Sequence, residues 1–403
     1  MGQPQWKLPV IVSPVSVNGT EILRAFGRRG AHCVAVSSSG DAEGFRSRFA
    51  HEKVILHAGP EGDEAFVEWL LSRTDLYGGL VIPTGDEIVS RLHAFRDRLS
   101  GHYKILLPPP RACEAALDKS KLARVCADAG IPTPRIIARP DTLSAAEMKD
   151  AGGLGFPVVV KPYYGIAFER AYHKRIIIVE SPDKLREALD DCRSRSFDVL
   201  MQEFMPHAGT CGYSAYVTRE GGVAGDYTSR RIGLYPPRAG VSFFEVAERI
   251  EPILEYGRRL VEAVGYAGAP INLDFKLDPC DGTWKLIDLN ARSWRQVSLA
   301  PLVGLHVFDM ILADYTGGEV PRAESIRYGR HWLYLKDALR VWHSYPGEGP
   351  SMRDYAAMFR SRFAIGLFDL FDPRPFLADL APLVLRRFRH AGTPPPEEPP
   401  IRI

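Results

Sequence analysis

Residues 285–294 read KLIDLNARSW, with Asp288, Asn290 and Arg292 separated by the apolar Leu289 and Ala291. Such alternation predicts a β-strand whose two faces differ. One face would rest on a core, and the other would carry an anion, an amide and a guanidinium in a row. A second alternating run, INLDFKLDP, puts Asn272, Asp274 and Lys276 on one face. Cys280-Asp281-Gly282 lies between the runs, and Asp-Gly in that place is a strong hairpin signal. Antiparallel pairing would set Asp274 opposite Asp288. Two carboxylates and the amide oxygen of Asn290 form a hard ligand set of the kind that holds Mg²⁺ beside substrate phosphates. Arg292 next to them suits bidentate contact with a phosphate or acyl phosphate. For either strand alone, a solvent-facing row of charges is the simpler reading; the two together favour the ligand set.

These strands need a scaffold. Within residues 9–110, PVIVSPV, CVAVSS, GLVIPTG and YKILLPPP read as strands. GTEILRAFGRRG, EAFVEWLLSR and EIVSRLHAFRDRL read as the helices between them. This rhythm predicts a parallel sheet covered by helices. Ligands on such sheets bind at the carboxyl ends of the strands, where Asn18, Asp86 and Glu87 fall. No GxGxxG is present to mark a dinucleotide site. ACEAALDKSKLARVCADAG predicts one main helix that stops at Gly130, ahead of Pro132 and Pro134. FPVVVKPYY, KRIIIVES and DVLMQEFMP read as strands, and SPDKLREALDDCRSR as a Ser-capped helix. GYSAYVTREGGVAGDYTSRRIGLY predicts a hairpin turning at Glu220-Gly221-Gly222, and FEVAERIEPILEYGRRLVEAVG the helix after it. HWLYLKDALRVWHSYP and FLADLAPLVLRRFRH read as amphipathic helices whose apolar stripes face a core. A sharper alternative for them is contact with an anionic membrane surface or a partner. The Pro-rich TPPPEEPPIRI predicts disorder.

Composition narrows the classes. The chain has 403 residues with 45% hydrophobic and 25% charged residues, ordinary for a globular protein of two or three domains. A net charge of +2 gives no electrostatic reason to expect nucleic acid. No apolar run approaches the roughly 20 residues of a spanning helix, and MGQPQWKLPVIV lacks a signal-peptide pattern. The six cysteines form no CxxC pair and read as reduced thiols, so the expected location is cytoplasmic.

Three further stretches complete a pattern. Lys119 lies in LDKSKLARVCADAGIPTP, Lys161 ends FPVVVKP, and Gln202-Glu203-Phe204-Met205 ends VLMQEFMP. In this order, with NLDFKLD and IDLNAR, residues 9–320 resemble the ATP-grasp superfamily. The likeness is nearest its carboxylate–amine ligase branch of carbamoyl-phosphate-synthase-like and D-amino-acid-ligase-like enzymes. It implies an α/β fold with an α+β catalytic part: a Rossmann-like pre-ATP-grasp domain at 1–112, linking helices at 113–150, a lid at 151–208 and a catalytic subdomain at 209–320. A helical C-terminal extension at 321–390 and a disordered tail at 391–403 would follow.

By the same resemblance, Lys119 and Lys161 would contact ATP phosphates, and Gln202 the adenine amino group. The backbone at Glu203 and Met205 would read the adenine edge, under Phe204. Arg230 would lie near the γ-phosphate, with Arg231 and Arg292 as catalytic cations. Asp274, Asp288 and Asn290 would hold one or two Mg²⁺ ions, with Mn²⁺ as an alternative. The implied reaction joins a carboxylate, small or polymer-linked, to an amine through an acyl phosphate and releases ADP and phosphate. A kinase, a carboxylase or a nucleotide-binding scaffold without turnover are the alternatives, and a homodimer is common in the family. The chain departs from the pattern in its loop YYGIAFERAYHKR, which has only Gly165 where a glycine-rich phosphate cover is usual; Arg170, Lys174 or Arg175 would substitute. It also has Asn-Ala-Arg for the commoner Asn-Pro-Arg, and aspartates in place of the metal-binding glutamates.

Overall fold

The computed structural model describes residues 6–57, 62–137, 139–163, 168, 171–172, 176–206, 208–237 and 240–389. Three sheets organise them. The first is wholly parallel, in the order β3-β2-β1-β4-β5. Its strands are β1 (Val10–Ser13), β2 (Cys33–Ser37), β3 (Glu52–Ile55), β4 (Leu80–Pro83) and β5 (Lys104–Ile105). Residues of β1, β2 and β4 are buried throughout because helices cover both faces. The edge strand β3, which sequence patterning did not reveal, alternates between half-buried and exposed.

The stretch expected as one main helix is two, Pro110–Leu117 and Lys119–Asp128. Asp118 between them is extended, and its carboxylate accepts from the N–H groups of Ser120 (2.8 Å) and Lys121 (3.2 Å). A capping carboxylate satisfies donors that a continuous helix would use itself. The break makes Lys119 the first residue of a helix and frees it to turn toward the site.

The second sheet, in the segment expected as the lid, is antiparallel, in the order β6-β9-β7-β8: β6 (Ile136–Ile137), β7 (Val158–Pro162), β8 (Ile177–Val179) and β9 (Val199–Glu203). β6 comes from the segment expected to hold only linking helices; it pairs Ile136 with Gln202. The helix Pro182–Ser194, capped by Ser181 as expected, covers the sheet. Val158, Val160, Met201, Leu185 and Leu189 belong to an apolar core that this unit shares with neither of the others.

The third sheet runs β14-β13-β10-β11-β12-β15-β16. Its strands are β10 (Thr210–Val217), β11 (Val223–Tyr235), β12 (Val241–Ala247), β13 (Ala269–Leu277), β14 (Trp284–Asn290), β15 (His331–Leu333) and β16 (Phe363–Ile365). Two expectations are corrected here. FEVA is strand β12 rather than the start of a helix, which begins at Glu251. HWL is strand β15, with Trp332 fully buried, so the region expected as a helical extension adds two strands to the third sheet, one before and one after the helices Leu335–Ser344 and Met352–Phe359. The first and third sheets share two cores. One joins Val10, Val12 and Phe26 to Phe243, Trp294 and Trp332; the other joins Ile11 and Val34 to Tyr213, Leu273 and Leu289. No single described helix is long and apolar enough to cross a membrane.

Candidate active site

β13 and β14 pair as their patterning predicts: Asn272 faces Asn290 and Asp274 faces Asp288. Alternation then fails by one residue. Phe275 pairs with Leu286, which leaves Ile287 as an extra residue in β14. A bulge of this kind re-aims side chains next to active sites. It lets Leu286 and Leu289, three apart, both enter the core. Ile287 instead lines a cleft with Lys119, Ile136 and Gln202.

Four charged groups meet at this end of the sheet. Lys119 donates to Asp288 Oδ1 at 2.8 Å. Burial works to raise the Asp288 carboxyl, but Lys119, Lys161 and Arg292 together outweigh it and leave it below the usual carboxylate range. Burial works against the Lys119 ammonium too, and the charge of Asp288 overrides it and raises the group. For Lys161, near the end of β7, Asp288 compensates only in part. Burial first and the Lys119 charge second push it down to about 7.

Behind the carboxylates stands a polar relay. Asn290 Nδ2 lies 3.4 Å from both Asn272 Oδ1 and Asp274 Oδ2, while its Oδ1 accepts from Arg292 at 3.0 Å. Arg292 forms a two-point pair with Asp86, at 2.7 and 3.2 Å, and Asp86 opens the helix Asp86–Ala94 at the carboxyl end of β4. Asn18 stitches that edge to the catalytic strand, donating at 3.1 Å to the carbonyls of both Thr84 and Ser293. Arg231 pairs with Asp274 and lies 3.5 Å from Glu245. Glu245 in turn accepts from Gln296 (2.6 Å) and Ser229 (2.8 Å). Burial raises its carboxyl, against the pull of Arg231.

At the far end of the cleft the exit from the lid is latched. Lys276 donates to the Met205 carbonyl at 2.6 Å, and Lys285 donates to Glu203 at 2.9 Å and pairs with Asp278 at 2.6 Å. Arg135 reaches Glu203 from the lid side at 2.8 Å. Met205 is buried and Phe204 half-buried.

The structure thus brings Lys119, Lys161, Asp274, Asp288, Asn290, Arg292 and Arg231 together, with Gln202, Glu203, Phe204 and Met205 at the cleft end. It does not bring in Arg230. Successive strand residues point to opposite faces, and Arg230 is exposed and paired with Glu248 at 2.7 Å. Trp294, which ends the KLIDLNARSW stretch, is a core residue whose Nε1 donates to Tyr227. Gly165, Arg170, Lys174 and Arg175 lie outside the described residues. Sequence reasoning missed Glu245, because FEVAE was read as helix, and missed Arg135 and Lys285, which carry no motif. The N-domain strand end around Asn18 was flagged only as a general binding edge.

No profile of a known protein family matches the chain. Among curated proteins it is similar to the D-aspartate ligase of Enterococcus faecium, 24% identical over 365 residues, which is 84% of this chain and 82% of that protein. It is also similar to the formate-dependent phosphoribosylglycinamide formyltransferase of Mycobacteroides abscessus, 31% identical over 148 residues, 36% of this chain and 34% of the other. Among solved structures it superposes on N5-carboxyaminoimidazole synthetase from Staphylococcus aureus complexed with ADP, with a TM-score of 0.64 at 14% identity over 86% of this chain and 87% of the other. The biotin carboxylase domain of the Hydrogenobacter thermophilus 2-oxoglutarate carboxylase gives 0.64 at 18% identity, over 81% and 74%. With the two-strand acidic site, the capped Lys119 helix and the small antiparallel sheet already in place, these likenesses converge: the chain has the ATP-grasp fold, and the proteins it is similar to are ATP-dependent carboxylate–amine ligases and carboxylases of that fold.

Proposed function

We propose that this site activates a small carboxylic acid with ATP and joins it to an amine. The observation that carries the reading is the cross-strand pair of Asp274 and Asp288, neutralised by Arg231 and Lys119 and flanked by Arg292. The likeness to a D-aspartate ligase over most of both chains makes a small amino dicarboxylic acid the first candidate substrate.

Two carboxylates and the amide oxygen of Asn290 on facing strands are a hard oxygen donor set and fit Mg²⁺. Bound there, the ion would neutralise charge on the phosphates of the nucleotide. Adenine enters the cleft between Gln202 and Ile287, and the backbone of Glu203 and Met205 reads its edge. Lys119 and Lys161 meet the phosphates, and both exchange their present surroundings for phosphate oxygens. Arg292 turns from Asp86 toward the acid and holds its carboxylate in line with the γ-phosphate. The carboxylate oxygen attacks that phosphorus, the bond to the β-phosphate oxygen breaks, and ADP leaves. The amine then adds to the acyl phosphate carbonyl, Arg292 and Arg231 stabilise the developing oxyanion, and phosphate departs with the amide formed. Positioning and charge neutralisation suffice, with no side-chain nucleophile.

Hydroxylamine trapping tests the reading. With ATP and Mg²⁺, the enzyme incubated with candidate acids, D- and L-aspartate first, should give an acyl hydroxamate and stoichiometric ADP. ADP release that depends on bicarbonate instead would move the chain to the carboxylases. Nucleotide binding without ADP release across a broad acid panel would leave a scaffold.

A further inference from the structure

Nine large apolar side chains are exposed among the described residues, and eight of them lie between Leu339 and Leu377. The tightest group follows β16: Phe368 (45% exposed), Leu370 (78%) and Phe371 (76%) on one loop, with Leu377 (59%) one turn into the helix Arg374–Arg389. Loops that display such residues usually do so because nothing holds them in. This one is held firmly. Asp372, at its base, is 1% exposed and accepts from Arg24 Nε (2.9 Å), Ser47 Oγ (2.6 Å) and the Arg48 N–H (2.9 Å). Arg24, equally buried, also donates to the carbonyls of Leu367 (2.9 Å) and Asp372 (2.7 Å). A buried ion pair is costly to assemble and is a weak source of net stability; here it fixes the place from which Leu370 and Phe371 project into water.

The surroundings are cationic. Arg46 and Arg48 are exposed on the adjoining segment of the N-terminal domain, and Arg374 is exposed beside the loop. Four acids nearby are tied to cations, Glu21 and Asp372 to Arg24, Asp369 to Arg28, and Asp379 to Lys336, and burial raises the carboxyl of a fifth, Glu43. Apolar projections ringed by arginines match an anionic bilayer, where the side chains enter the acyl boundary and the guanidinium groups meet headgroups. A two-fold contact between copies of this chain would set like charges against each other.

We infer that the Phe368–Phe371 loop, braced by Arg24 and Asp372, docks this protein on an anionic membrane surface. The inference stands apart from the ligase reading.

Its test is sedimentation of the full chain with vesicles of phosphatidylcholine alone and with about 30% phosphatidylserine added. Wild type should pellet with the anionic vesicles only, and less as salt rises. Leu370→Ser with Phe371→Ser should weaken partitioning about tenfold or more with no change in melting temperature, since both side chains are exposed. Arg48→Glu with Arg374→Glu should also weaken it and flatten the salt dependence. Failure of wild type to pellet with anionic vesicles, or equal pelleting by the double serine variant, overturns the inference. A dimer in gel filtration that the serine variant dissociates would assign the patch to a second copy and overturn it as well.

Discussion

Lys161 offers the sharpest test of the site. Its amine falls from the ordinary 10.5 to about 7, which at about 1.4 kcal/mol per unit sets a cost of about 5 kcal/mol on the charged form. A triphosphate beside it would remove that cost. With its amine pushed down to about 7, Lys161 is mostly neutral in the free protein at pH 8, so nucleotide binding there should take up close to one proton per site. The apparent affinity should fall with a limiting slope of about tenfold per pH unit above 7 and level off below it. The assay is calorimetry of MgATP-analogue binding at pH 8 in buffers of differing ionisation heat; the slope of observed enthalpy against buffer enthalpy gives the protons taken up. Lys161→Arg, charged throughout, should bring that slope close to zero. An uptake that survives in Lys161→Arg, or none in wild type, would refute the placement of Lys161 against the phosphates. The sign for folding is opposite to that of a paired lysine. Between pH 10.5 and 7 the unfolded chain binds this proton and the folded chain does not, so Lys161 removes stability as pH falls through that window. Lys161→Met should flatten that part of the stability profile.

Other perturbations reach the remaining parts of the argument. Asp288→Asn strips Lys119 of its partner and removes one oxygen charge, and should weaken metal-dependent nucleotide binding by more than about tenfold; unchanged titrations with and without Mg²⁺ would count against the metal assignment. Glu245→Gln leaves the shape of the Arg231 pocket but removes its buried charge, and should lower turnover about tenfold with little effect on nucleotide affinity. A matching loss of affinity would assign Glu245 to the nucleotide instead. Arg24→Ala leaves Asp372 buried without its counter-ion, and should cost about 3–5 kcal/mol in urea unfolding; a loss below about 1 kcal/mol would mean that the clamp is solvated in solution.

Much of the site was legible because a strand has a rigid period. Alternation in two short runs and an Asp-Gly turn predicted the facing of Asp274 and Asp288 to the residue. Where the period breaks, the pattern misleads. The extra Ile287 in β14 is invisible to alternation, since isoleucine fits either face. Arg230 and Arg231 are identical in type, and only the pairing of β11 with Glu245 on β12 decides which points inward. FEVAE reads as part of the helix that follows because Glu and Ala suit helices and the run is short; its neighbours in the sheet override that preference. Asp118 sits in a stretch of good helix formers, and its extended conformation follows from the cap it makes. β15 is a short strand whose partner β12 lies far away in sequence, and β3 is a short edge strand of mixed polarity; local pattern carries little about either.

The separate core of the lid has a consequence for how the molecule comes apart. The chain enters this unit near Pro132 and leaves near Met205, and its two ends are tied to the two strands of the β13–β14 hairpin: Leu286 donates to the Pro132 carbonyl at 2.8 Å, and Lys276 to that of Met205. The lid is therefore an insertion in the topological sense, a closed excursion from a scaffold that is already joined by two shared cores. Its melting exposes only its own apolar residues and leaves the scaffold intact, so it forms a subglobal unfolding unit with a free energy below that of the whole. On heating or in mild denaturant, amide protons of Val158, Val160 and Met201 should exchange before those of Ile11, Val34 and Leu273. The same excursion would let the cleft empty by local unfolding, a slower route than rigid rotation and one that needs no change elsewhere in the protein.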